Sequence, residues 1–272
     1  MRCAVLLVCL TALACKETPE TAIGFFAADQ RVVEAPMSTW QKQVHAETVT
    51  VHEPYEIAEV TFRALPANAV LDAAYGPAWR QAQMLSLQAL DGYVTTVPTS
   101  RFLEHKSWFA FARTDRDAFT LDKKVPKVET VQLGPAYLIW DSKNDPAMRV
   151  DGDYGWPYQL ALIKTQTFAE AFPGLEPPEP VSPTALAGFH LFSRYCATCH
   201  ALNGHGGKVG PELNQPHSVT EYWQPTWLRR WIDNPQQIRA NTAMPGLPAS
   251  VPNREQALDD ILGYLRVMAG KK

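Results

Sequence analysis

The sequence predicts an α+β protein: a mixed α/β N-terminal domain, a proline-rich linker, and an all-α C-terminal domain. Three observations predict it. Strand-like and helix-like runs are mixed over residues 45–173. Five prolines fall within residues 173–183, and such a run is an extended, semi-stiff spacer. From residue 184 onward the apolar positions recur at helical spacing. A length of 272 residues suits two modest domains. With 46% hydrophobic and 19% charged residues, the composition is that of a folded chain.

The net charge of −3 offers no basic field for nucleic acid. Residues 184–272 carry nine Lys and Arg against six Asp and Glu, a net +3, whereas residues 16–183 carry fifteen against twenty-two, a net −7. The two parts therefore present opposite fields.

The first segment reads as an address. Arg2 precedes an apolar run, residues 4–14, containing Leu6, Leu7, Val8 and Leu10. A spanning helix needs roughly 20 residues, so the run matches the core of a secretory signal instead. It ends in Thr11-Ala12-Leu13-Ala14-Cys15. Small residues before a cysteine resemble the lipobox of bacterial lipoproteins, although Ala12 stands where Leu is more usual. The resemblance implies that Cys15 is lipidated, and so a periplasmic protein anchored to the membrane. A cleaved soluble signal and an uncleaved anchor are the alternatives. Residues 16–44 are polar and weakly periodic, and read as a tether.

In residues 45–173, the runs Val49-Thr50-Val51, Val60-Thr61-Phe62, 92–97 and 136–140 read as strands. Residues 77–87 and 99–108 read as helices. Three stretches, Arg63-Ala64-Leu65-Pro66 through Val70-Leu71, residues 89–98 with Asp91-Gly92-Tyr93, and residues 133–140 with Gly134-Pro135, resemble the molybdopterin-binding fold of sulfite-oxidase-type enzymes. That family holds its molybdenum through a cysteine, and residues 45–173 contain none. The resemblance therefore implies a degenerate copy of the fold, with molybdopterin not expected. His45, His52 and His105 are scattered metal-ligand candidates that read as surface or core residues. Asp151-Gly152-Asp153 lacks the rest of a calcium loop and reads as a turn.

After the linker, residues 174–183, the domain at 184–272 opens with a helix over 184–192, with Thr184 as its cap. The helix runs into Cys196-Ala197-Thr198-Cys199-His200, the C-x-x-C-H pattern of c-type haem attachment. Two thiols one helical turn apart reach the two vinyl groups of one porphyrin edge, and the following histidine supplies a proximal ligand. A zinc site would need further Cys or His ligands. A thioredoxin-like pair would need a βαβ setting.

Glycines follow at 204, 206, 207 and 210, then Pro211, Glu212 and Leu213. Here the sequence resembles class I cytochrome c. The resemblance implies that the Pro211 carbonyl accepts from His200 Nδ1. It also implies that Thr242-Ala243-Met244-Pro245-Gly246 is the distal loop, with Met244 as sixth ligand of one covalent haem c. His205 and His217 are rival ligands, and Met268 reads as core. Trp223, Trp227 and Trp231 recur every four residues and read as walls of the haem pocket. Arg229, Arg230 and Arg239 are propionate candidates that read as solvated charges. A helix over 225–233 and a terminal helix over 253–268 capped by Asn253 complete the domain. The terminal helix would cross the first at Gly188, against Tyr264 or Leu265.

These features predict an electron-transfer protein rather than an enzyme, working between redox partner proteins. A haem-containing molybdenum oxidoreductase or its cytochrome partner is one alternative, and a haem-based ligand sensor is another.

Overall fold

The computed structural model describes residues 20–124, 127–150, 155–207, 209–240, 242, 244–249 and 251–271. Cys15 with its leader, and Asp151-Gly152-Asp153, lie outside the described residues. The chain combines helices and strands, as an α+β protein does. Its N-terminal part runs β1 (Ala22–Ala27), β2 (Gln30–Pro36), α1 (Met37–Gln43), β3 (Glu47–Glu53), β4 (Ala58–Pro66) and α2 (Ala67–Tyr75). A 3-10 turn (Gly76–Gln81) leads to β5 (Met84–Ala89), β6 (Val94–Pro98), α3 (Thr99–Glu104), β7 (Ser107–Arg113), β8 (Thr120–Lys123), β9 (Glu129–Gln132) and β10 (Tyr137–Trp140). Then come α4 (Pro146–Val150), β11 (Leu160–Gln166) and α5 (Phe168–Ala171).

A five-stranded sheet has the order β2-β1-β11-β5-β6, and a four-stranded sheet the order β10-β7-β4-β3. Only β1 and β11 run parallel within them. One apolar core joins both sheets through Phe25, Phe62, Leu87, Tyr137 and Trp140.

Residues 22–44 are not a tether. Ile23 and Phe25 of β1 are buried in the core, and Trp40 of α1 packs edge-on against Phe25 at 5.0 Å. Two alternating apolar residues are too short a signal to betray a strand, and one of its two partners, β11, begins only at residue 160. The helix expected over 77–87 is also corrected. The chain makes a 3-10 turn and then enters β5, whose Leu85 and Leu87 are buried between β11 and β6. β5 alternates Leu85, Ser86, Leu87, Gln88 and Ala89, the period-two pattern of a strand rather than of a helix. The helix expected over 99–108 stops at Glu104, and β7 begins at Ser107. α2 was not anticipated.

The C-terminal part holds α6 (Pro183–Tyr195), a two-stranded ribbon of β12 (Ala201–Leu202) and β13 (His205–Gly206), α7 (Val219–Tyr222), α8 (Pro225–Asp233) and α9 (Arg254–Ala269). Ser182, not Thr184, caps α6: its hydroxyl accepts from the Ala185 N–H at 3.1 Å, and Pro183 takes the first helical position. Asn253 precedes α9 but makes no side-chain cap and sits at φ 46°. α6 and α9 cross at Gly188, where a Cβ would fall 2.0 Å from the Asp260 carbonyl oxygen and 2.7 Å from Tyr264 Cβ. Only glycine lets the backbones approach so closely.

The linker is not a free spacer. Leu175 is buried in the C-terminal core together with Phe172 and Met84. The Tyr264 hydroxyl donates to the Leu175 carbonyl at 2.6 Å, and Lys271 Nζ donates to the Glu176 carbonyl at 2.8 Å. Phe168 of α5 meets Phe189 of α6 edge-on at 5.0 Å. Prolines stiffen this segment, and its single leucine anchors it.

Glu53 is fully buried at the end of β3. It accepts from the Tyr137 hydroxyl and from the Glu56 N–H, each at 2.5 Å. Burial outweighs these bonds and pushes its carboxyl from 4.5 up to about 7. Below the unfolded value both states hold the proton. Between 4.5 and 7 the native state holds it while the unfolded chain releases it, so stability is lost as pH rises across that window. Chemical denaturation should find unfolding free energy falling by up to about 3 kcal/mol across this range. In Glu53→Gln that slope should disappear.

Candidate haem-attachment site

The C-x-x-C-H pattern sits where α6 ends. Cys196 is the C-cap, its N–H donating to the Phe192 carbonyl at 2.8 Å. Cys199 N–H and His200 N–H both donate to the Cys196 carbonyl, at 3.0 and 2.8 Å, so the motif continues as one tight turn. The two cysteines are half-buried and not joined in a disulfide. Burial, with Cys199 nearby, pushes the Cys196 thiol up to about 12.

The glycine-rich segment wraps this turn. Gly207 N–H donates to the Ala197 carbonyl and Gly210 N–H to the Cys199 carbonyl, each at 2.7 Å. A Cβ on Gly207 would lie 1.9 Å from the Thr198 carbonyl oxygen, and one on Gly210 would lie 2.4 Å from the His200 ring. The loop can approach the motif only because side chains are absent there.

His200 Nδ1 lies 2.8 Å from the Pro211 carbonyl oxygen. A carbonyl can only accept, so Nδ1 carries the hydrogen and Nε2 keeps its lone pair. This is the bond that the resemblance implies. Next in sequence, Glu212 gathers three backbone N–H groups: Asn203 and Asn214 on Oε1, at 2.9 and 2.8 Å, and Gly204 on Oε2, at 3.0 Å. Sequence reasoning passed over Glu212, since an exposed-looking acid after a proline carries no signal of its own.

The segment with Met244 is fastened between α8 and α9. Leu247 N–H donates to the Ile232 carbonyl at 2.9 Å. Arg254 binds the Leu247 and Pro248 carbonyls at 2.5 and 2.6 Å, the Asp233 carbonyl at 2.8 Å, and Asp233 Oδ1 at 2.6 Å. Arg254 was also missed: arginine at a helix start is unremarkable until the carbonyls it reaches are known. Trp231 Nε1 donates to Met244 Sδ at 3.0 Å.

The other candidates are dispersed. Trp223 and Trp231 pack at 5.5 Å. Trp227 departs from the expected stripe: it is about half exposed, with the Arg230 guanidinium over its ring at 4.6 Å. Arg229 pairs with Glu255 at 2.6 Å. The His205 ring lies against the linker, where a Cβ on Gly174 would fall 2.4 Å away. His217 is exposed, 3.8 Å from Glu221. Met268 is buried in the core, and His105 Nδ1 lies 2.6 Å from Asp145.

Among the described residues no three His, Cys, Asp or Glu side chains are placed to hold a metal ion. Cys196, Cys199 and His200 thus do not converge as zinc ligands do. Two thiols one turn apart, followed directly by an imidazole whose Nδ1 is engaged by Pro211, nonetheless form a donor set that fits a covalent haem c.

Residues 183–265 match the family model described as cytochrome C oxidase, cbb3-type, subunit III. No curated protein matches the chain. The match identifies the C-terminal part as a cytochrome c domain, which implies haem c and electron transfer. It begins at the residue where α6 begins.

Arg254→Ala should cost about 1–3 kcal/mol by chemical denaturation, since it removes the guanidinium from the Leu247, Pro248 and Asp233 carbonyls and from the Asp233 carboxylate. Arg239→Ala, at an exposed position, should stay within about 0.5 kcal/mol of the parent.

Proposed function

We propose that this chain is a periplasmic, lipid-anchored monohaem c-type cytochrome that passes single electrons between two redox partner proteins. The observation that carries the proposal is the His200 Nδ1 bond to Pro211, directly after two cysteines spaced for thioether attachment. Haem c would supply a one-electron ferric and ferrous couple. Cys196 and Cys199 would attach it, and His200 Nε2 and Met244 Sδ would be its axial ligands. Pro211 holds the imidazole in one tautomer and raises its basicity. Arg254, together with the Leu247 bond to Ile232, holds the methionine segment against α8. A haem held by both His200 and Met244 would favour electron transfer over substrate chemistry.

The N-terminal domain serves as a docking or scaffold module. Its packing on α6 and α9 through Phe168, Phe172 and Leu175 supports that role. Its likeness to the molybdopterin-binding fold comes without the cysteine that would hold molybdenum, so the module carries no molybdenum centre in this reading. Cys15 would supply the lipid anchor and place the protein at the membrane. Among the described residues no helix is long and apolar enough to cross a membrane.

The test is an absorption spectrum of protein matured with the c-type haem machinery, in both oxidation states. Sharp reduced bands and a far-red sulfur-to-iron band are expected, the latter lost in Met244→Ala. Covalent haem without the far-red band in the parent would remove Met244 from the centre.

A further inference from the structure

The sequence reads Trp231 as a wall of the haem pocket, and the structure adds a polar contact to it. Its indole Nε1 lies 3.0 Å from Met244 Sδ. An indole N–H can only donate and a thioether sulfur can only accept, so the direction of this bond is fixed by chemistry. A thioether sulfur has two lone pairs, and a metal uses one of them. The second is the natural acceptor for an N–H on the side away from the metal.

Both partners are held in place. Trp231 stands in the last turn of α8, its ring packed on Trp223 at 5.5 Å. The two residues that follow it hold the methionine segment: the Ile232 carbonyl accepts from Leu247 N–H, and the Asp233 carbonyl and carboxylate accept from Arg254. A Cβ on Gly246 would fall 2.4 Å from the Asp233 carbonyl oxygen, so the segment runs close along the end of α8. The Met244 N–H is engaged by Thr242 Oγ1 at 3.3 Å. Methionine has three rotatable bonds and fills space loosely by itself. Here its backbone is pinned on one side and its sulfur is met by a fixed donor on the other.

We infer that Trp231 is a positioning residue, whose N–H orients the Met244 sulfur and draws electron density from it. This inference rests on the proposed role of Met244 as axial ligand. A sulfur that shares a lone pair with an N–H is a poorer donor to ferric iron. The ferrous state loses less, and the reduction potential rises. Outer hydrogen bonds to a ligand thus tune the metal without touching it.

The experiment compares redox titrations of the full-length haem protein as parent, Trp231→Phe, Trp227→Phe, and a variant carrying benzothienylalanine at 231, which keeps the ring shape and lacks the N–H. At one fixed ambient potential, the ferrous-to-ferric ratio should fall about threefold in both position-231 variants, a shift of about 30 mV at 59 mV per tenfold for one electron. Trp227→Phe, at a half-exposed position one turn earlier on α8, should keep the parental potential. Loss of the far-red band in both position-231 variants would also support the inference, as failed orientation of the sulfur. Parental potential and band in the benzothienyl variant would overturn it, whatever Trp231→Phe does, because the ring and not its N–H would then be acting. A parent without the far-red band would instead remove the axial role of Met244, and the inference with it.

Discussion

The carbonyl oxygen of Pro211 decides which nitrogen of His200 carries its proton, and the C-terminal part is arranged around that bond. Three consecutive residues make it possible. Gly210 has no side chain where one would strike the imidazole. Pro211 presents the acceptor at 2.8 Å. Glu212 ties the segment to Asn203, Gly204 and Asn214. Asn214, fully buried, in turn donates to Asn203 Oδ1 and to the Met268 carbonyl of α9. The imidazole is thereby linked to the terminal helix through hydrogen bonds, and α9 is linked to α6 by the crossing at Gly188. The cysteines at the end of α6 and the histidine after them inherit their positions from these contacts.

The N-terminal domain takes part in the same packing. Phe168 and Phe172 face each other at 5.2 Å, and Phe168 meets Phe189. Phe189 and Phe192 both pack on Tyr264, whose hydroxyl holds the linker at Leu175. Phe192 lies one helical turn before Cys196. The cytochrome c domain is thus seated on its neighbour through aromatic side chains and backbone carbonyls. Lys271 reaches the carbonyls of the linker at Gly174 and Glu176. A seated domain has few orientations in which to meet a partner, whereas a tethered one would have many.

Much of the C-terminal domain was legible because its constraints are local. C-x-x-C-H is a contiguous motif, Pro225 and Pro235 bracket α8, and the glycines mark where a loop must pass close. What stayed hidden depends on partners far away in sequence. β1 is buried because β11 covers its other edge from far along the chain, in addition to its hairpin partner β2, and β5 is buried from both faces. Leu175 is one apolar residue among prolines, and nothing in its neighbourhood reveals that Tyr264 and Lys271 wait for that segment. Trp227 kept the four-residue spacing of the other tryptophans and is still half exposed, because the buried face of α8 carries Leu228 and Ile232 instead. Glu212 and Arg254 bind backbone groups, and backbone carries no sequence signature.

The most direct test of the central claim is the intact mass and iron content of the full chain matured with the c-type haem machinery, beside a Cys196→Ala, Cys199→Ala double variant. The account predicts one haem mass and one iron per chain in the parent, retained under denaturing conditions, and neither in the double variant. A parent that carries no covalent haem, or a double variant that still does, would contradict it.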